Sequence, residues 1–128
     1  MSISVVKLGS PRKPGEGLRL GTVRRPRRGV PKTQWAKLDY YDLWFPLLSP
    51  TRELVALALA AEDDKTWKTF ERRFIAEMNE PAPARVLDLL AALSHSSNFS
   101  VGCYCEREER CHRSVLRNLL EKRGASFA

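Results

Sequence analysis

The chain is short of sulfur and imidazole, with three cysteines, two methionines and two histidines in 128 residues. An odd cysteine count with no secretory leader ahead of it argues against a disulfide framework, so reduced thiols are expected. No apolar run reaches the ~20 residues that span a bilayer, and no charged-then-apolar stretch opens the chain. The expectation is a cytoplasmic protein with no membrane partner. No Gly-x-Gly-x-x-Gly follows an apolar run, so a dinucleotide fingerprint is missing. Internal repeats and low-complexity segments are missing too.

Acid is scarce in one window. Between Pro11 and Lys32, Glu16 alone stands against Arg12, Lys13, Arg19, Arg24, Arg25, Arg27, Arg28 and Lys32. That window carries the whole net charge of +7 and leaves the rest of the chain neutral. A cationic segment on a neutral body points to an anionic partner, a nucleotide or nucleic acid. The competing reading is a solvated loop that aids solubility. Arg25, Arg27, Arg28 and Lys32 are the candidate anion contacts.

What the chain does contain suits one small α/β domain over residues 1–128, with a basic loop at 11–32. Residues 2–8 alternate as a strand, and 18–23 read as a short second one despite Gly21. Pro26, Gly29 and Pro31 keep 24–32 irregular, with at most a turn of helix after it. Tyr40 to Phe45 reads as a strand. Ser49-Pro50 then opens a helix with Glu53 in its first turn, and 54–61 is apolar enough to be largely buried. Asp63 and Asp64 open a second helix with Trp67, Phe70, Phe74, Ile75 and Met78 on one face. Pro81 and Pro83 precede a third, carrying Val86, Leu89, Leu90 and Leu93, with His95 exposed at its end. A strand from Phe99 and a helix stopped by Gly124 complete the order. The long helical crossover before the last strand predicts a parallel pair. The fold class is a small three-layer, Rossmann-like α/β domain with a mainly parallel sheet.

All three cysteines and one histidine fall between Cys103 and Arg113, across a strand, a charged turn and a helix start. Ligands bind at such junctions because backbone N–H groups and the helix dipole converge there. Strand alternation puts Cys103 and Cys105 on one face, with Cys103 buried and Cys105 nearer the crevice. Four readings stay open. The first is a thiol-centred or anion-binding active site of Cys111, His112 and Arg113, with Cys103 or Cys105 nearby. In it His112 is base or proton donor, Arg113 an oxyanion or phosphate clamp, and Cys111 the nucleophile or a helix-start residue. The second is zinc, for which Cys-x-Cys-x₅-Cys-His offers four ligands. Against zinc, the Cys-x₂-Cys knuckle spacing is missing and adjacent Cys111 and His112 are expected to diverge. The third is a transfer loop, Cys105-x₄-Arg110, whose interior lacks glycine and holds three glutamates. The fourth is structural, with cysteines as small buried apolar groups. The first ranks just ahead of the fourth, and no metal or other cofactor is assigned.

Cys103, the run Cys111-His112-Arg113 and the amphipathic helix after it resemble the domain of unknown function 488, or YeaO-like, family. The segment Arg25-Pro26-Arg27-Arg28-Gly29-Val30-Pro31-Lys32 is similar to a Pro-Arg-Gly-x-x-Lys stretch of that family. Ser49-Pro50, Trp67-x-x-Phe70, Arg73-Phe74 and Glu77-Met78 extend the likeness over most of the chain. The resemblance implies a compact α/β domain. One departure stands out: Cys105 replaces the acid of the family's Cys-x-Glu. An acid/base role for that acid therefore does not carry over.

The function these residues lead us to expect is an enzyme acting on a phosphorylated or nucleic-acid-related ligand at a Cys-His-Arg site. The alternatives are a non-catalytic nucleic-acid-binding module using the basic loop, or a structural zinc-binding domain. The 24–32 loop is further expected to pack over the strand–helix junction, bringing Arg25, Arg27 or Arg28 to the crevice of His112 and Arg113.

Overall fold

The computed structural model describes all 128 residues. Four strands, β1 (Ile3–Lys7), β2 (Leu18–Gly21), β3 (Leu43–Trp44) and β4 (Phe99–Cys103), form one sheet in the order β1-β4-β2-β3. Every pairing is parallel, so the C-terminal ends of β1, β2 and β4 lie side by side. The four α-helices are α1 (Arg52–Ala60), α2 (Asp64–Met78), α3 (Pro81–Leu93) and α4 (His112–Lys122). The first three form the crossover from β3 to β4, the parallel connection that the spacing predicts.

Strand alternation sorts the two faces of the sheet. Ile3, Leu20, Phe99 and Val101 turn to one side and join Leu54, Phe70, Phe74, Leu87, Leu116 and Leu120 in a single large core. All four helices contribute to it. The other face is covered by irregular chain. Ser100 donates to Glu16 there at 2.9 Å, and the Tyr41 ring lies over Gly21, where an added Cβ would sit 2.2 Å from ring carbon. The third layer is thus made of loops, seated on glycine and serine because larger side chains would hold it off.

Several local expectations shift. The aromatic run from Tyr40 yields only Leu43–Trp44 as strand, because Tyr41 turns inward as a fully buried side chain. The first helix is capped by Thr51, whose hydroxyl accepts from the Leu54 N–H at 3.5 Å; Ser49 instead donates to the Pro46 carbonyl. Only Leu54 of α1 is buried, and Leu59 is 78% exposed. On α3 the inward residues are Pro83, Leu87, Leu90 and Ala91, one step round from the predicted face, so Leu89 faces out. Pro81 and Pro83 lie within its first turn, where a missing N–H is tolerated.

The basic window also divides. Arg19 is fully buried, donating to Glu16 at 2.8 and 3.0 Å and to the carbonyls of Ser10 and Asp39. Burial pushes the Glu16 carboxyl up, but the bonds from Arg19 and Ser100 prevail and hold it below its ordinary range. Arg12 pairs with Asp42 at 2.8 Å, and Arg24 donates to the Ser49 and Pro50 carbonyls. These three cations are internal ties. Arg25, Arg28 and Lys32 are exposed and make no ion pair with any carboxylate.

Candidate functional site

A cavity of about 390 Å³ opens beyond the C-terminal ends of β2 and β4. Its floor is Cys103, Cys105, Cys111 and His112, and the 23–28 segment forms a wall with Arg25, Arg27 and Arg28. Opposite stand Val55, Ala58 and Leu59 of α1 with Phe70 of α2. This placement explains why α1 is apolar yet poorly buried: its outer face lines a cavity. That wall is missed by periodicity, although an apolar helix with no covering partner is the signal that marks it.

The basic loop is pinned over the junction by aromatic side chains. Tyr41 Oη accepts from the Arg27 N–H at 3.0 Å and from Tyr104 Oη at 3.2 Å. Trp44 Nε1 donates to the Val23 carbonyl at 2.8 Å, and Trp35 Nε1 to that of Val30 at 3.3 Å. The Arg27 guanidinium lies 5.6 Å from the Tyr40 ring centre and 5.4 Å from that of Tyr104, within cation–π range. Tyr104 is desolvated and tied to Tyr41, which pushes its hydroxyl pKa up. Arg25, Arg27 and Arg28 therefore share the crevice of His112. Lys32 does not line it, and neither does Arg113.

Arg113 lies beneath the floor, 3% exposed. It donates through Nη2 to the Cys105 carbonyl at 2.7 Å, while its buried Nε has no partner. A guanidinium so placed cannot clamp a ligand in the cavity; it adds positive charge under the sulfurs.

The sulfurs differ in access. Cys103 and Cys111 are 6% and 1% exposed, whereas Cys105 is half-buried at the cavity. Cys111, at the N-cap of α4, is thus too enclosed to be the first thiol a ligand meets. Cys103 Sγ lies 3.7 Å from Cys105 Sγ as a hydrogen-bond donor. That bond, a further one with Cys111 and the Arg113 charge favour the Cys105 thiolate, lowering its pKa to about 3. The same cluster pushes the Cys103 thiol strongly up, since it keeps the proton its neighbours share.

His112 and Cys111 do converge. Cys111 is extended (φ −131°, ψ 150°) and His112 begins the helix, so the change of backbone swings both side chains inward. Cys111 Sγ stands 3.8 Å from His112 Nδ1. His112 Nε2 is 2.5 Å from the Thr22 carbonyl oxygen, which can only accept. Nε2 therefore carries the proton in the neutral ring, and Nδ1 offers its lone pair to the sulfurs. Phe74 meets the ring edge-on at 5.6 Å between centres, fixing its tilt. Cys103, Cys111 and His112 bring their ligating atoms within 4.8 Å of one another. The expected divergence of adjacent residues, which argued against a metal, does not hold.

Fold and site together define a small all-parallel α/β domain with a buried cysteine–histidine cluster at its strand ends. The chain matches the family model DUF488-N3a, described as the active DUF488-N3 subclade, over residues 3–124. It belongs to the DUF488 family. Comparison with curated proteins and with solved structures gives no match. No helix is long and apolar enough to cross a membrane.

Proposed function

We propose that this protein is an enzyme acting on a phosphorylated or nucleic-acid-related ligand in the cavity between the basic loop and the cysteine–histidine floor. One observation carries the reading: Arg25, Arg27 and Arg28 line the same cavity as Cys105 and His112. A volume of about 390 Å³ is in the range of small-ligand sites. Its two walls suit different parts of one ligand. Val55, Ala58 and Leu59 offer an apolar face to a flat body such as a base, and the arginines offer charge to a phosphate.

In this reading Cys105 is the nucleophile, the one thiol with access, supported by Cys103 and by the Arg113 charge. His112 accepts a proton at Nδ1 from the cluster through Cys111. Arg113 acts through the sulfurs and not on the ligand.

Nucleotides and short single-stranded oligonucleotides are the substrates to screen, with products and protein adducts read by mass spectrometry. Cys105→Ser and His112→Ala are expected to lower turnover by about 10²-fold or more while binding persists. Arg27→Glu and Arg28→Glu are expected to weaken binding, more so as salt rises. Binding that follows the arginines, with no product from any substrate, would instead leave a non-catalytic nucleic-acid-binding module.

A further inference from the structure

We propose that Cys103, Cys111 and His112 form a binding site for a borderline-soft divalent cation, zinc above all, with one coordination position open to the cavity. The inference does not rest on the ligand assigned to that cavity.

The ligand types are those zinc takes, two thiolates and a neutral imidazole. At Zn–S of ~2.3 Å and Zn–N of ~2.0–2.1 Å, tetrahedral ligands stand ~3.8 Å apart sulfur to sulfur and ~3.6 Å sulfur to nitrogen. Cys111 Sγ and His112 Nδ1 are 3.8 Å apart, and all three ligating atoms lie within 4.8 Å of one another. Closing on a cation requires movements of about an ångström at most.

The imidazole is already in the ligating tautomer. Its Nε2 is committed to the Thr22 carbonyl at 2.5 Å, the outer contact that orients metal-bound histidines. Nδ1 is left facing the sulfurs. All three groups are buried, which disfavours free thiolates and favours thiolates that share a dication. Two thiolates and a dication are formally neutral, so the buried Arg113 beneath is tolerated.

Cys103, Cys111 and His112 also line the cavity floor, so the fourth direction faces the cavity. Cys105 borders that position, 3.7 Å from Cys103 Sγ, and it or a ligand atom can fill it. A bound cation would occupy the Nδ1 lone pair and displace the Cys103 thiol proton, so it replaces both the proton assigned to His112 and the Cys103 hydrogen bond to Cys105.

The test is metal uptake by the whole chain. Protein stripped with a chelator under reducing conditions is titrated with zinc and, separately, with cobalt. About one equivalent per chain is expected, with the charge-transfer and d–d bands of a tetrahedral cobalt thiolate and a rise in Tm. No uptake by the wild type, or only the weak bands of octahedral cobalt, would overturn the site. Cys111→Ser and His112→Ala are expected to lose the bands; Cys105→Ser is expected to keep one equivalent. Loss of the metal with Cys105→Ser would overturn the open-position assignment. Because metal is counted directly, a chain that takes up zinc but binds no phosphorylated ligand would fail only the functional reading.

Discussion

His112 Nε2 donates to the carbonyl oxygen of Thr22 across 90 residues of sequence, at 2.5 Å. The contact joins the start of α4 to the end of β2 and fixes which ring nitrogen is free. Every chemical role for His112 follows from it. The carbonyl belongs to the backbone, so no substitution at Thr22 removes it, and only the histidine side can be tested. His112→Asn, which keeps a donor but no imidazole, is expected to fold with a melting temperature nearer the wild type than that of His112→Ala. Thermal denaturation of the two variants checks this.

Tyr41 sets the position of the basic loop. Tyr41→Phe removes the acceptor of the Arg27 N–H and of the Tyr104 hydroxyl while keeping the ring. A loss of about 0.5–1.5 kcal/mol for each bond is expected by urea denaturation, with weaker binding of a single-stranded oligonucleotide. Unchanged oligonucleotide affinity would show that the loop does not need this anchor.

Gly21 is required by the same ring. An added Cβ would lie 2.2 Å from Tyr41, so Gly21→Ala must displace the ring. A destabilisation of about 1–3 kcal/mol is expected. Gly21 has ordinary strand backbone, so this cost is steric, whereas Gly15→Ala, with nothing near its Cβ but a φ of +76°, would report backbone strain alone.

The buried Arg19–Glu16 pair gives the fold a pH dependence. Glu16 is held below its ordinary value of 4.5, so the native state favours its ionised form. That stabilisation is present above the unfolded pKa and is lost as pH falls through the lowered folded value. Wild-type stability should therefore decline on acidification below about pH 4.5, more steeply than that of Glu16→Gln. Arg19→Met, which leaves a buried carboxylate unpaired, should cost about 3–5 kcal/mol at neutral pH. Urea midpoints across pH read both effects.

Access separates the three thiols. Cys105 is half-buried while Cys103 and Cys111 are buried, so alkylation of the folded, reduced protein should modify Cys105 first. Peptide mapping after limited treatment with iodoacetamide checks the order. Equal modification of all three would mean that the cluster opens as a unit.

Much of the frame was legible because it follows from local chemistry. Alternation marked β1 and β4, the aromatic stripe marked α2, and the cysteine spacing marked the junction. Less legible was anything decided by distant contacts. Arg19 and Arg24 sit among exposed cations in sequence, yet Glu16 and the carbonyls near α1 claim them. The apolar residues of α1 looked like core because composition does not distinguish packing against protein from lining a cavity. Tyr41 left its strand for a glycine 20 residues away. Cys111 and His112 met because the backbone changes from extended to helical between them, a turn that spacing alone does not encode.

The central claim is that the basic loop and the cysteine floor are one site. Measuring Cys105 alkylation with and without a saturating short single-stranded oligonucleotide tests it most directly, with saturation verified by fluorescence anisotropy. If the claim holds, occupancy of the arginine wall slows alkylation in proportion to the fraction bound, and Arg27→Glu removes the protection. An unchanged alkylation rate with the oligonucleotide fully bound would contradict it.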